Sequence, residues 1–246
     1  MFKKLLVCLS IIVLLVGCID EQEIVDKYKD VEQHKLNQQA DHAFSKHDYK
    51  KAAELYEALA NYHPGAPVAK KAQLRAMYAY AKLKKTLIVE SMAEEFLHQY
   101  PREKEASYAY YLLSMAPLFD HSSFLQRAVD AKPELRGAGL LNKSFKRFRA
   151  MLRLYPKSPY VPQAKLILLN IKRLIAMHES NIAQYYYNKG AYQAAINRAM
   201  DSLEVSLSVD SAIPALKIMQ AGFVKIGNAD EAAKVKKVLQ YNKVVS

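Results

Sequence analysis

Glycine and proline are scarce in this chain, at 7 and 9 of 246 residues. An all-β protein needs turn signals at about every 8–12 residues, and those turns draw heavily on the two. That class is excluded. Cysteine is nearly absent too: Cys8 and Cys18 both lie close to the N-terminus, so the body of the protein must be held by its core rather than by disulfides. Long hydrophobic runs are missing as well. The longest runs from Leu5 to Val16, whereas a membrane-crossing helix needs about 20 apolar residues. There is no G-x-S-x-G motif and no glycine-rich loop of the kind that cradles phosphate.

Hydrophobic residues make up 51% of the chain, enough to fill a core, and Ala, Leu, Lys, Gln and Glu are abundant. These favour helix, and the expected class is all-α. The N-terminus has its own logic. Lys3 and Lys4 precede the short apolar run, which reads as a signal peptide. Leu15, Val16, Gly17 and Cys18 match the bacterial lipobox, whose cysteine is acylated and becomes the new N-terminus. Several acyl chains on one residue, each CH₂ contributing about 0.8 kcal/mol, give a durable anchor. Residues 1–17 are therefore expected to be removed, 18–30 to form a lipidated N-terminus and linker, and 31–246 to fold. Ile19 follows the cysteine; aspartate there would retain a lipoprotein in the inner membrane, so the outer membrane is expected.

Three segments share an ending. "YKKAAELYEALANYHPGAP", "TLIVESMAEEFLHQYP" and "SFKRFRAMLRLYPKSPY" each close on Tyr and Pro: Tyr62 with Pro64, Tyr100 with Pro101, Tyr155 with Pro156. Proline cannot continue a helix and restricts the residue before it, so each amphipathic segment stops there. The first two prolines are 37 residues apart, close to the tetratricopeptide period of about 34. The next interval, from Pro101 to Pro156, is longer by an insertion at residues 120–143. Further on, "KGAYQAAINRAM" matches "HDYKKAAELYEA", with Val161–Lys189 as its partner helix. A last pair places Ile213, Leu216, Phe223 and Ile226 on one helix and Ala232, Val235 and Leu239 on the next. Five helical hairpins result, an α-solenoid of tetratricopeptide type in which neighbours bury what no hairpin can bury alone.

Candidate chemistry is thin. His42 and His47 are five apart and point in different directions on a helix, whereas an i, i+4 pair is needed to share a metal. Glu94 and Glu95 diverge likewise. No metal, cofactor or catalytic residue is expected. Net charge is +12, but an exported protein meets no nucleic acid. In "NKSFKRFRAMLRLYPK", Phe145, Phe148, Leu152 and Tyr155 form one stripe and Lys146, Arg147, Arg149 and Arg153 fall mostly outside it.

The lipobox, the polar linker and the hairpins with "ALANYHPGAP", "FLHQYP", "FRAMLRLYPKSPY" and "AQYYYNKGAYQAAINRAM" resemble the BamD (ComL) family, lipoprotein subunits of the outer-membrane β-barrel assembly machinery. Tyr185, Tyr186, Gly190, Ala191, Tyr192, Asn197 and Arg198 carry the most specific part. The chain departs from the family at "LEVSLSVDS", which stands where another Tyr-Pro ending is usual. The resemblance implies a non-enzymatic adaptor, lipid-anchored on the periplasmic face of the outer membrane. It would hold the barrel-forming subunit alongside other assembly lipoproteins and engage nascent outer-membrane proteins by their C-terminal strands. Tyr192, Asn197 and Arg198 are the implied partner-binding residues. The groove residues Gln38, Lys70, Gln73 and Met77 follow from helix spacing: with the alanine stripe of 68–83 turned inward, Lys70, Gln73 and Met77 form a row toward an inner groove. The other reading is a lipid-anchored helical-repeat scaffold that recruits cell-wall enzymes. A lytic transglycosylase comes third and would need a glutamate-bearing catalytic domain after the repeats.

Overall fold

The computed structural model describes residues 27–28, 31–62, 65–121, 136–206 and 209–241. Cys18 and the signal segment lie outside them. The described residues form ten α-helices and no strand, and the chain divides into two compact units, Met1–Phe119 and Asp120–Ser246.

The first unit holds α1 (Gln33–Ser45), α2 (Tyr49–Tyr62), α3 (Pro67–Lys82), α4 (Thr86–Gln99) and α5 (Ala106–Met115), which runs into a 3-10 turn at Ala116–His121. The tyrosine endings fall where proline chemistry places them. Helix α2 stops at Tyr62, and Tyr100 caps α4 by donating its N–H to the Phe96 carbonyl at 2.8 Å. Pro67 opens α3, where its missing donor costs nothing. Ala69, Ala72, Ala76 and Ala79 are all buried, and small side chains there let α3 lie close to its neighbours. The core of α1–α3 gathers Leu36, Ala40, Leu55, Tyr56 and Leu59; Tyr28 already belongs to it, so packing begins just before residue 31. A second cluster, with Met77, Val89, Phe96 and Leu112, joins α3, α4 and α5.

The second unit holds α6 (Arg136–Leu154), α7 (Val161–Asn188), α8 (Tyr192–Val205), α9 (Val209–Lys225) and α10 (Ala229–Tyr241). Helix α6 starts inside the stretch expected to be an insertion. Of the expected stripe Phe148 is fully buried and Phe145, Leu152 and Tyr155 are half-buried; the buried line is instead Leu141, Ser144, Phe148 and Met151, with Lys146, Arg149 and Arg153 exposed and Arg147 half-buried. The third expected hairpin, α5 with α6, falls across the boundary between the units. In α10 the expected Ala232, Val235 and Leu239 are buried. In α9 the buried line is instead Ser211, Ala215, Ile218, Met219 and Gly222, and Ile226 is an exposed turn residue. Pro214 sits inside α9, tolerated in its second turn.

Four hairpin turns are built alike. His47, Lys84, Gly190 and Gly227 adopt positive φ of 60°, 56°, 77° and 78°. Each is followed by an N–H reaching back across the helix end: Asp48 to Ala43, Lys85 to Tyr80, Ala191 to Tyr186 and Asn228 to Phe223, at 2.9–3.0 Å. This left-handed cap satisfies carbonyls that the helix leaves open.

Candidate functional site

On α3, Lys71, Arg75, Tyr78 and Lys82 recur at spacings of 4, 3 and 4, on a flank about 100° round the helix from the alanines. This is the side turned to α1. Arg75 binds the Asp41 carboxylate of α1, and the Tyr56 hydroxyl donates to the same carboxylate at 2.6 Å. Phe44 of α1 lies 5.7 Å from the Tyr78 ring. Burial and the Asp41 hydrogen bond push the Tyr56 phenol up to about 12, so it stays neutral and donating. Gln38 is exposed on α1, beside this face.

The expected groove row is turned away from that side. Met77 is fully buried in the α3–α5 cluster and lines no open groove. Gln73 lines a cleft of about 150 Å³ with Glu57 and Asn61 of α2 and Met92 and Glu95 of α4; its side-chain oxygen is buried without a partner. With two carboxylates on its wall, that cleft suits a cation, not a terminal carboxylate. Lys70 is engaged: its ammonium donates to Glu103 at 2.7 Å and sits over the Tyr100 ring at 4.6 Å. The Glu103 hydrogen bond raises its pKa. The expectation failed because the alanine stripe is broad: the α3 face of residues 70, 73 and 77 is flanked on both sides by buried positions. The 71-75-78-82 stripe of cations and an aromatic was the available signal.

In the second unit, the turn at Gly190 starts α8 at Tyr192, whose ring meets Tyr187 edge-on at 5.4 Å. One turn on, Asn197 and Arg198 are exposed. Gln193 donates to the Asn197 side-chain oxygen at 3.1 Å. The Arg198 guanidinium is paired with Glu179 of α7 at 3.1 Å and with Asp201 at 3.6 Å. Beside Glu179, His178 is buried, and burial, reinforced by the Arg198 charge against the Glu179 carboxylate, holds its imidazole below the usual pKa. On the other side of α7, Gln184 and Tyr187 face Ile213, Pro214, Lys217 and Ala221 of α9 across an apolar groove of about 350 Å³. Such grooves between the first helices of adjacent hairpins suit an apolar peptide segment. Tyr192, Asn197 and Arg198 share the first half of α8, Asn197 and Arg198 exposed and the Tyr192 ring turned to Tyr187. Gln38, Lys70 and Gln73 do not converge on one cleft.

A family model described as "YfiO: Outer membrane lipoprotein" matches residues 29–239. The chain is 26% identical over 243 residues to the outer membrane protein assembly factor BamD of Haemophilus influenzae, covering 98% of this chain and 90% of that one. It is 27% identical over 244 residues to BamD of Neisseria meningitidis serogroup A, covering 98% and 91%. Against BamD of Vibrio cholerae it is 24% identical over 229 residues, covering 93% and 94%.

Proposed function

The chain belongs to the YfiO family of outer membrane lipoproteins, and from that premise we propose that it is a non-enzymatic adaptor in the assembly and insertion of β-barrel outer-membrane proteins. The observation that carries this is the span of the likeness: relatives named as outer membrane protein assembly factors align over 98% of the chain. Cys18 is the lipidated residue after removal of residues 1–17, and the acyl chains hold the protein at the periplasmic face of the outer membrane. No described helix is long and apolar enough to cross a membrane, in keeping with an anchor of this kind.

The barrel-forming subunit docks on the surface around Tyr192, Asn197 and Arg198. Arg198 already pairs with Glu179 and Asp201, so a partner carboxylate must share or displace those contacts. Guanidinium forks can serve two carboxylates at once. Substrate C-terminal segments are received by the first unit on its α1–α3 side, where Gln38, Arg75, Tyr78 and Lys82 offer amide, cation and ring together.

The test is depletion of the protein in its own cell, with heat-modifiability of barrel proteins as the readout, and co-purification with a tagged chain. Depletion should lower the folded fraction of barrel proteins, and the wild-type chain should bring down a β-barrel subunit. Arg198→Glu should lose that subunit, while Glu179→Gln, which frees the guanidinium, should retain it. Unchanged barrel folding together with recovery of cell-wall enzymes would overturn the assembly reading.

A further inference from the structure

Charge is divided unequally between the units: the first carries 16 Lys and Arg against 15 Asp and Glu, the second 20 against 9. Within the second, residues 135–178 hold ten Lys and Arg and not one acidic residue. These span α6 and α7 up to His178.

Helix α7 is 28 residues long and α8 only 14. Their pairing is pinned where the end of α8 meets the middle of α7, because the Ser202 hydroxyl donates to the Ala176 carbonyl at 2.7 Å and meets the Ser180 hydroxyl at 2.9 Å. Three residues later α8 ends. The first 13 residues of α7, about 20 Å at 1.5 Å per residue, therefore extend beyond it. One stripe runs the length of α7 at spacings of 4 and 3: Pro162, Leu166, Leu169, Arg173, Ala176, Ser180, Ala183, Tyr187. Where α8 covers it, Ala176, Ser180 and Ala183 are small and buried. On the overhang it carries leucines, and Leu166 and Leu169 are 58% and 65% exposed.

Lysines accompany those leucines on one side. Lys165 and Lys172 lie beside them on α7, and Lys146, Arg149 and Arg153 are exposed on α6. Helical spacing turns the α6 cations away from that helix's buried line, and turns Leu166 and Leu169 away from the α7 line of Ala164, Ile171, Ile175 and His178, so the leucine ridge shares its face with the lysines of α7 alone.

We propose that the overhanging face of α7, with Leu166 and Leu169 at its centre and Lys165 and Lys172 beside them, rests on an anionic phospholipid surface. Its features are those of an interfacial helix: an apolar ridge, lysines beside it whose stems reach past the apolar atoms, and no acid to be repelled by lipid phosphate. Charge of a single sign over 44 residues matches a uniformly negative headgroup layer, whereas protein interfaces set complementary potentials against one another to fix register. A lipoprotein has such a surface within reach. The contact would orient the second unit against the bilayer, beyond merely tethering the chain by its N-terminus.

The experiment uses the mature polypeptide Ile19–Ser246 without acyl groups, so the anchor cannot contribute, and co-sedimentation with vesicles of phosphatidylcholine alone or with 30% phosphatidylglycerol by design (about that fraction, to give a surface potential of tens of millivolts). Binding should appear with the anionic vesicles and fall steeply in about 0.5 M salt. Lys165→Gln with Lys172→Gln should weaken it on the order of thirtyfold, and Leu166→Gln with Leu169→Gln about fivefold. Both double variants should keep the wild-type thermal melt, because the four side chains are exposed. Equal binding to the two vesicle types, no binding, or unaltered binding by the variants would overturn the proposal. So would vesicle indifference combined with loss of a co-purifying acidic protein from the leucine variant, which would assign the face to a protein. None of these outcomes touches Arg198 docking, so the assembly reading stands or falls separately.

Discussion

Arg198 is bound within its own chain before any partner arrives, and His178 reports on that state. The imidazole is buried, and its pKa lies below the ordinary 6.5 because burial disfavours the charged form; Glu179 opposes the shift and Arg198 adds to it. A depressed folded-state pKa means that the unfolded chain binds the proton more readily. The stability tied to neutral His178 is therefore complete above pH 6.5 and is lost as pH falls through the depressed folded value. Arg198→Glu exchanges a repelling charge for an attracting one, so the His178 pKa should rise. NMR titration of the ring, assigned with a His178→Asn spectrum, measures this. An unmoved titration in Arg198→Glu would mean that the guanidinium does not sit where the structure places it, and the docking surface would need redrawing.

At the scale of the element, one turn geometry recurs with two kinds of residue in it. Gly190 and Gly227 take the left-handed conformation freely, while His47 and Lys84 occupy it with a side chain, at a cost of roughly 1–2 kcal/mol. Gly190→Ala should lower stability by about 1 kcal/mol, and Lys84→Gly should raise it by roughly 0.5 kcal/mol once the added freedom of the unfolded chain is subtracted. Denaturant midpoints at constant slope decide both; a stabilising Gly190→Ala would refute the cap. Element ends were legible in the sequence because Tyr-Pro and Lys-Gly-Ala-Tyr are local chemistry: α2, α4, α6 and α8 begin or end within a residue or so of where those motifs place them. Faces were less legible. The cations of α6 fall mostly outside its core as expected, but its buried line runs through Leu141, Ser144 and Met151 rather than Phe145, Leu152 and Tyr155. Helix α3 was turned the wrong way because six of its residues are buried, and a pattern that apolar does not show which flank meets α1. Pairings such as Asp41 with Arg75, or Glu179 with Arg198, join residues 34 and 19 apart and leave no local trace.

On the scale of the whole molecule, the two units are the same kind of helical packing carrying different charge. The first is nearly balanced, and its charges are paired across helices: Lys27 with Glu54, Lys70 with Glu103, Arg75 with Asp41. The second has 20 cations to 9 acids, and its inter-helix pair at Arg198 and Glu179 draws on one of the few acids available. Like charges on a compact body repel, and the unfolded chain relieves that repulsion by expanding, so excess charge works against folding. Salt screens this over a Debye length that falls from about 30 Å at 0.01 M to about 10 Å at 0.1 M. The second unit should therefore gain stability as salt rises, while the first, held in part by ion pairs that salt weakens, should gain nothing or lose slightly. Hydrogen exchange followed by mass spectrometry separates them, because peptides from α1–α5 and from α6–α10 are distinguishable in one experiment. Between about 0.01 and 0.3 M salt, amides of α6, α7 and α9 should become better protected relative to those of α2 and α3. Uniform change across both units would show that the cations of the second already sit too far apart to repel, and would also remove the electrostatic argument for an anionic surface against α7.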